Sequence, residues 1–485
     1  MGMKQSRYKI VLAIIDYCLL FFSLLISIEL KGIVHNTVLP EWNALIFNSD
    51  HIGTFIYLFA VLLVFQNYQL YKINVVVTQA RQFVQLTISF FYATIGLAVA
   101  YFFFNFRLDM HLRIVSLYFI FIGLTIIAFY RIFIFRPLYI YFNKQKTVKR
   151  RILIVGAALE AKNFIIQSLI DNLYGFEFIG FIDDHYKNDE VIFENIKNLG
   201  KLHDLPRIVK NQKIDEILIT ISDVSTKKLL EIVDLCKTTK ANIQVASPIL
   251  EIIHKKIFSE KYFNVPVAKF SNNSESRVRL LVKRIIDIVL SIMGMLLFFI
   301  PFVIISILIK ATSQGTIFFR QTRVGKNGKS FDFYKFRSMY MGSENDDRRK
   351  KHMESYIRQN GKNGSENKST KIVNEERITN IGAFLRKTSM DEMPQLFNVL
   401  KGDMSMVGPR PCLKYEYEAY DDWHKRRMSV TPGCTGLWQV TARSKSNFEE
   451  MVLLDIYYIE NMSIWFDLQL ILKTVPVMLF QKGGK

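Results

Sequence analysis

The densest chemistry in the chain lies in Leu385-Arg386-Lys387-Thr388-Ser389-Met390-Asp391-Glu392-Met393-Pro394-Gln395-Leu396. Two adjacent carboxylates, Asp391 and Glu392, follow two cations. A carboxylate can attack phosphorus and carry the phosphoryl group as a covalent intermediate. A neighbouring carboxylate can hold Mg²⁺, which prefers carboxylate and phosphate oxygens. A purely structural reading also exists. Ser389-x-x-Glu392 has the form of a capping box, and Pro394 suits the first turn of the helix it would open. Two carboxylates are more than one cap requires, however. The dipole at a helix N-terminus also stabilises an anion, a phosphorylated Asp391 included.

Cations lie in the flanking segments. Residues 331–339, Phe-Asp-Phe-Tyr-Lys-Phe-Arg-Ser-Met, read as a strand whose period of two puts Lys335 and Arg337 on one face. Such a pair makes a phosphate clamp in which Arg supplies a planar fork of donors; edge protection by charge is the alternative. In Gly402-Asp-Met-Ser405-Met-Val-Gly408-Pro409-Arg410-Pro411, two prolines restrict the backbone around Arg410. That suits either a fixed phosphate or a plain rigid turn. Residues 431–443 join a Gly/Pro turn to a short aromatic strand ending in Arg443, with Trp438 read as core. His424, in Trp423-His-Lys-Arg-Arg, reads as a surface histidine in a basic membrane-facing patch.

The elements that must position these groups begin in a bilayer. Half of the 485 residues are hydrophobic, and long apolar runs crowd the first 135. Segments 10–28, 52–71, 85–104 and 114–129 each approach the ~20 apolar residues that cross a bilayer. Cations before the first, between the second and third, and after the fourth put both ends of a four-helix transmembrane bundle (1–148) in the cytoplasm. Asp16, inside the first span, is a functional residue by default or the partner of a neighbouring helix. Residues 149–270 show apolar strands at 151–156, 176–182, 216–221 and 242–245 separated by helix-like stretches, which predicts a Rossmann-like α/β domain. Its dinucleotide fingerprint is broken: Gly156-Ala-Ala-Leu-Glu-Ala161 has one glycine where three have distinct roles. After a polar linker at 271–276, an apolar run at 285–309 carries Pro301 near its middle and cations on both flanks. A bent helix that enters and returns on the cytoplasmic side satisfies that charge pattern, with side chains such as Ser306 serving the backbone freed at the bend. A last stretch, 465–480, suits a helix in the interface interrupted by Asp467 and Lys473. The net charge of +20 calls for an anionic partner. The four cysteines form no CxxC pair, which argues against zinc and dithiol redox chemistry.

Taken in order, Lys283-Arg284-x-x-Asp287, Pro301, Phe319-x-Gln321-x-Arg323-x-Gly325, Lys335-Phe-Arg-Ser-Met339, Arg386-x-x-Ser389-x-Asp391-Glu392-x-Pro394-Gln395 and Asp403-Met-Ser405-x-Val-Gly-Pro-Arg410-Pro411 resemble the bacterial sugar transferases. These are the monotopic polyprenyl-phosphate phosphoglycosyl transferases, and the likeness covers 277–485. With its N-terminal helices and α/β domain, the chain resembles the large, exopolysaccharide- and O-antigen-initiating form. The resemblance implies a mixed α/β catalytic domain with a re-entrant helix at 285–309 kinked at Pro301, in a multi-pass protein of the bacterial inner membrane whose soluble domains face the cytoplasm. It implies transfer of a hexose-1-phosphate from a UDP-sugar to undecaprenyl phosphate, with release of UMP through a phospho-sugar on Asp391. It implies Mg²⁺ on Asp391 and Glu392, and substrate contacts from Lys335, Arg337, Arg386, Arg410, Gln439 and Arg443. Gly436-Leu-Trp438-Gln439 is similar to members that use UDP-glucose or UDP-galactose. Ala442-Arg443 departs from the Gly-Arg of many members. A homodimer is left open, and no nucleic acid is expected.

Two rival functions remain at this level. A membrane-anchored nucleotide-sugar 4,6-dehydratase would need an intact glycine fingerprint and a Tyr-x-x-x-Lys pair, and 149–270 shows neither. A non-enzymatic scaffold of a polysaccharide assembly complex would not need the Asp391-Glu392 pair.

Overall fold

The computed structural model describes residues 4–34, 52–68, 70–71, 73–104, 110–144, 150–170, 176–193, 196–221, 224–246, 260–262, 265–270, 277–340, 347–358, 377–441 and 447–480. The apolar runs of the first third are helices: α1 (Lys4–Val34), α2 (Ile52–Asn67), α3 (Gln79–Phe104) and α4 (Met110–Phe129). A π-helical turn, Tyr130–Phe135, leads from α4 into α5 (Arg136–Lys144). Among the described residues, two continuous helices are long and apolar enough to cross a bilayer, 9–34 and 114–141. The four-span expectation is therefore carried by two of its members. Leu12, Leu20, Phe65, Phe90 and Phe119 meet in one apolar cluster. Within it Asp16 pairs with Arg131, and both are fully buried. Arg131 also donates to Leu70 O at 2.8 Å. An unpaired buried charge is expensive, so this pair fixes α1, α4 and the turn after α2 in one register.

All four strands expected in the middle region are present: β1 (Arg150–Val155), β2 (Phe176–Ile182), β3 (Glu216–Ile219) and β4 (Asn242–Val245). They run parallel in the order β2-β1-β3-β4. The near-continuous burial of β1 and β3 is what parallel strands covered on both faces require. Helices α6 (Leu159–Ile170) and α7 (Thr226–Lys237) belong to the crossovers. Two short antiparallel strands, β5 (Glu260–Tyr262) and β6 (Val265–Phe270), extend the edge beyond β4. The glycine turn after β1 is self-satisfied. Gly156 takes φ +95°, and the next amide, Ala157 N, donates to Asp183 Oδ2 at 2.9 Å. An aspartate carboxylate thus takes the donor that a bound pyrophosphate would use.

The last third opens with α8 (Arg277–Leu297) and α9 (Phe299–Thr312), bent by 63° at Phe298. Pro301 therefore sits in the first turn of α9, where its missing N–H costs nothing, and not at the middle of one helix. Ser306 Oγ donates to Phe302 O at 2.7 Å, one turn past the bend. An antiparallel hairpin follows, β7 (Phe318–Val324) and β8 (Ser330–Phe336). Beyond α10 (Asp347–Arg358) come α11 (Asn380–Thr388), α12 (Gln395–Lys401), β9 (Ser405–Val407), β10 (Gly433–Thr435), α13 (Leu437–Thr441), α14 (Phe448–Glu460) and α15 (Ile464–Phe480). Residues 359–376 lie outside the described residues. Trp438 stands on the short helix α13 and not on a strand. It packs against the core.

Candidate active site

Helix α8 shows why one face of an apolar helix can hold a polar domain. Lys283, Asp287 and Ser291 are four residues apart and so share a face, with Arg284 beside them. Arg284 donates to Val399 O at 2.5 Å and Leu400 O at 2.8 Å, carbonyls in the last turn of α12. Ser291 Oγ donates to Leu396 O at 2.8 Å. Asp287 accepts from Met406 N at 3.0 Å. The opposite face, with Leu281, Ile285, Ile292 and Leu296, is exposed. Helix α9 is anchored to the same domain at its far end, where Arg337 meets Ser313 O and Gln314 O, each at 2.8 Å. Both legs of the bent pair are thus tied to one body.

The two carboxylates stand on a single 3₁₀ turn, Met390–Glu392, between α11 and α12. Ser389 ends α11 in a left-handed conformation, φ 57°, and its side chain makes no cap, so the capping box expected to open the next helix does not form; at its own start α11 is capped by Thr379, which accepts from Gly382 N at 2.9 Å. Pro394 does lead into α12, as the spacing predicts. Asn398 on α12 fixes the neighbouring strand. Its Oδ1 accepts from Tyr334 N at 3.1 Å, and its Nδ2 donates to Asp332 O at 2.6 Å. This registers β8 so that Lys335 Nζ lies 2.6 Å from Glu392 Oε1 and 3.6 Å from Asp391 Oδ2.

The environment splits the two acids. Asp391 is 7% exposed. Burial pushes its carboxyl above the usual carboxylate range; Lys335 pulls it down, Glu392 pushes it up, and Arg386 pulls it down. The side chain of Glu392 keeps 41% exposure. Desolvation on its inner side pushes it up, but Lys335 by charge and hydrogen bond, Arg410 and Gln395 outweigh that and hold it down at about 2. Adjacent acids of identical chemistry thereby acquire different proton affinities, the pattern found where acids do different work.

Of the cations expected here, Lys335, Arg386 and Arg410 converge on the two acids. Arg386 is exposed in the last turn of α11, and Arg410 is exposed at the end of an otherwise buried loop. Arg337 does not join them. It is 4% exposed and is spent on Ser313 and Gln314 at the end of α9. Strand β8 ends at Phe336, so the alternation that would align Arg337 with Lys335 stops one residue short. Gln439 stands on α13 one turn after Gly436, and a Cβ built at Gly436 would come within 2.4 Å of Gly408 O. That places α13 against the loop of Arg410. Arg443 lies outside the described residues. His424 is buried and not on the surface. Its Nδ1 accepts from Asp421 N at 3.1 Å, and burial, opposed by Asp421 and aided by Arg427, pushes it down to about 4. Asp467 turns inward to Lys283 at 2.6 Å and does not face the interface.

Sequence reading missed Asn398, and it quoted Asp287 and Arg323 as motif residues without giving them a role; Arg323 Nη1 donates to Pro411 O at 2.9 Å. The four-residue spacing of Lys283 and Asp287 was a usable signal for the first half of that scaffold. Among the described residues no group of three or more His, Cys, Asp or Glu side chains gathers. Mg²⁺ commonly takes one or two carboxylates and completes its shell with substrate phosphates and water, so the Asp391–Glu392 pair fits an ion that arrives with a diphosphate.

Comparison with known proteins adds the family. The family model described as bacterial sugar transferase matches residues 278–481, and one described as CoA-binding domain matches residues 66–247. The galactosyl transferase CpsE of Streptococcus agalactiae serotype III is 40% identical over 46% of this chain and 52% of its own length. The undecaprenyl-phosphate galactose phosphotransferase of Salmonella typhimurium is 33% identical over 70% of this chain and 71% of its own. The exopolysaccharide production protein ExoY of Rhizobium meliloti is 36% identical over 42% of this chain and 87% of its own. The match thus spans about half of the first relative and most of the other two. The family-model match takes in the carboxylate turn, the α8 stripe and the Arg410 loop together. The chain belongs to the bacterial sugar transferase family.

Proposed function

We propose that the protein transfers a hexose-1-phosphate from a UDP-sugar to undecaprenyl phosphate and so begins the synthesis of an exopolysaccharide or O-antigen. The observation that carries this reading is one buried acid, Asp391, beside Lys335 and flanked by the exposed guanidinium groups of Arg386 and Arg410. The relatives named galactosyl transferase and undecaprenyl-phosphate galactose phosphotransferase support it.

Asp391 is the nucleophile. One of its oxygens bonds to the phosphorus that bears the sugar, the bond to the bridging oxygen breaks, and UMP leaves. A phosphate oxygen of the polyprenyl carrier then attacks the same phosphorus, frees the carboxylate and forms a diphosphate. Lys335 holds Glu392 and keeps a positive charge beside Asp391. Arg386 and Arg410 take phosphoryl oxygens, where preorganised cations stabilise charge that develops in transfer. Gln439 and Arg443 are the residues assigned to the nucleotide. Magnesium, held by Asp391 and Glu392, would neutralise diphosphate charge. UDP-glucose or UDP-galactose is the donor. The bent α8–α9 pair enters and leaves the bilayer on the cytoplasmic side, because Leu296, Leu297 and Ile300 at its tip are all about 70% exposed or more while both outer ends are tied to the catalytic body. The carboxylate turn then sits at headgroup depth, where a lipid phosphate arrives.

Asp391→Asn tests the covalent route. UMP release from UDP-sugars and sugar-phosphate labelling of the protein should both vanish, a loss of about 10³-fold or more; full activity in that variant rules the route out. A wild-type protein that releases no UMP from any UDP-sugar would favour the scaffold reading.

A further inference from the structure

Side chains of two helices, with a counter-ion from a third, gather at the backbone oxygen of Val407, three residues before Arg410; that oxygen also accepts from Ser405 Oγ at 3.0 Å. Lys283 Nζ of α8 donates to Val407 O at 3.0 Å and to Asp467 Oδ2 of α15 at 2.6 Å. Tyr458 OH of α14 stands 3.1 Å from Val407 O, 2.6 Å from Asp467 Oδ1 and 3.4 Å from the Lys283 ammonium. Val407, Gly408 and Pro409 are buried, and Arg410 is the first exposed residue after them. The rest of the loop is pinned as well: Met406 N by Asp287, Pro411 O by Arg323 and Cys412 O by Val324 N at 2.9 Å.

One donor would satisfy a carbonyl. Here an ammonium, a carboxylate and a phenol are drawn out of water around it, and such a buried pair contributes little net stability of its own. What the cluster supplies is direction. It fixes where the loop leaves the protein interior, and Pro409 and Pro411 carry that setting to the Arg410 side chain. We infer that Lys283, with Asp467 and Tyr458, is a positioning residue that aims Arg410 at the substrate phosphates. This rests on the reading of Arg410 as a phosphate-holding group. It also makes the seating of α15 a condition for the active geometry, because Asp467 is the counter-ion that holds Lys283 in place.

The test uses the full chain in lipid nanodiscs and a double-mutant cycle. Lys283→Met should lower kcat/KM for the UDP-sugar about 10- to 100-fold, the loss expected when a reacting group is misplaced by about 1 Å. Lys283→Arg should recover part of it. In an Arg410→Ala background, Lys283→Met should change the rate less than about threefold, since the group it aims is gone. Losses that multiply across the two sites overturn the proposal. Tyr458→Phe, which keeps the packing, should show the same non-additivity at smaller amplitude and serves if Lys283→Met fails to fold. Amide exchange supplies a readout independent of turnover. The 404–412 segment should exchange faster in Lys283→Met while 216–219 does not change, and unaltered exchange at 404–412 also overturns the proposal. Absence of UMP release by the wild-type chain would remove the proposed function, and the exchange result would still decide the positioning role.

Discussion

Lys335 and Arg337 are two residues apart, carry the same charge and end in opposite situations. Lys335 faces the carboxylate turn, where its ammonium meets Glu392 and lies near Asp391. Arg337 is drawn under the bent membrane pair, where carbonyls at the end of α9 consume it. The contrast extends outward. Arg386 and Arg410 are exposed near the acids, whereas Arg323 and Arg427 are buried, one on Pro411 O and the other on Asp455 at 2.5 Å. A cation acts at the site only where no backbone carbonyl or remote counter-ion has claimed it; the partners of Lys335 are the site's own acids, and sequence alone does not report which case holds.

Several substitutions would break or sharpen this contrast. The largest effect is expected at Lys335. Lys335→Met should reduce the transfer rate about 10²- to 10³-fold, the usual cost of a preorganised charge-stabilising donor, while the thermal unfolding midpoint stays nearly unchanged. A large fall in that midpoint with normal turnover would invert the assignment. Arg337→Met should behave the other way. It removes the donor from the carbonyls of half-buried Ser313 and exposed Gln314, at about 1–2 kcal/mol in total, so the midpoint should drop. The fraction that stays folded should retain kcat within about threefold; a selective loss of kcat would return Arg337 to the phosphate clamp. The smallest effect is a pH dependence at His424. Its folded value of about 4 lies below the ordinary 6.5, so the folded state resists taking up the proton. That penalty is absent above pH 6.5, grows as pH falls and is complete below about 4, where it reaches about 3 kcal/mol at most. His424→Gln should flatten the stability profile between those limits, and an unchanged slope would show that another group is responsible.

Several elements were legible because one local rule governs them. Apolar runs that end in turn residues marked β1 to β4, and the period of two marked β8. The turn signal at Pro394 located the start of α12. What escaped depends on distant partners. Asp16 and Arg131 are 115 positions apart, and no periodicity pairs them. His424 sits among Lys425, Arg426 and Arg427, so its surroundings read as surface, yet Trp423, Tyr420 and Phe448 enclose it. Ser389 matched the pattern of a capping box, but the turn that presents Asp391 needs a left-handed residue there, and tertiary packing overrode the local preference. Strand β5, at three residues, is too short for alternation to declare it, and β6 carries Pro266 and Lys269 within its six residues, which breaks the apolar run.

The turn after β1 carries its own anion. With the Asp183 carboxylate seated on the Ala157 amide, the sheet has become self-liganded at the spot where its architecture would otherwise welcome a nucleotide. Any phosphate arriving there would meet like charge and a donor already engaged, so the layer is freed to serve as a rigid brace: Asp234 and Lys237 of α7 clasp Arg426 and Glu460 of the transferase half.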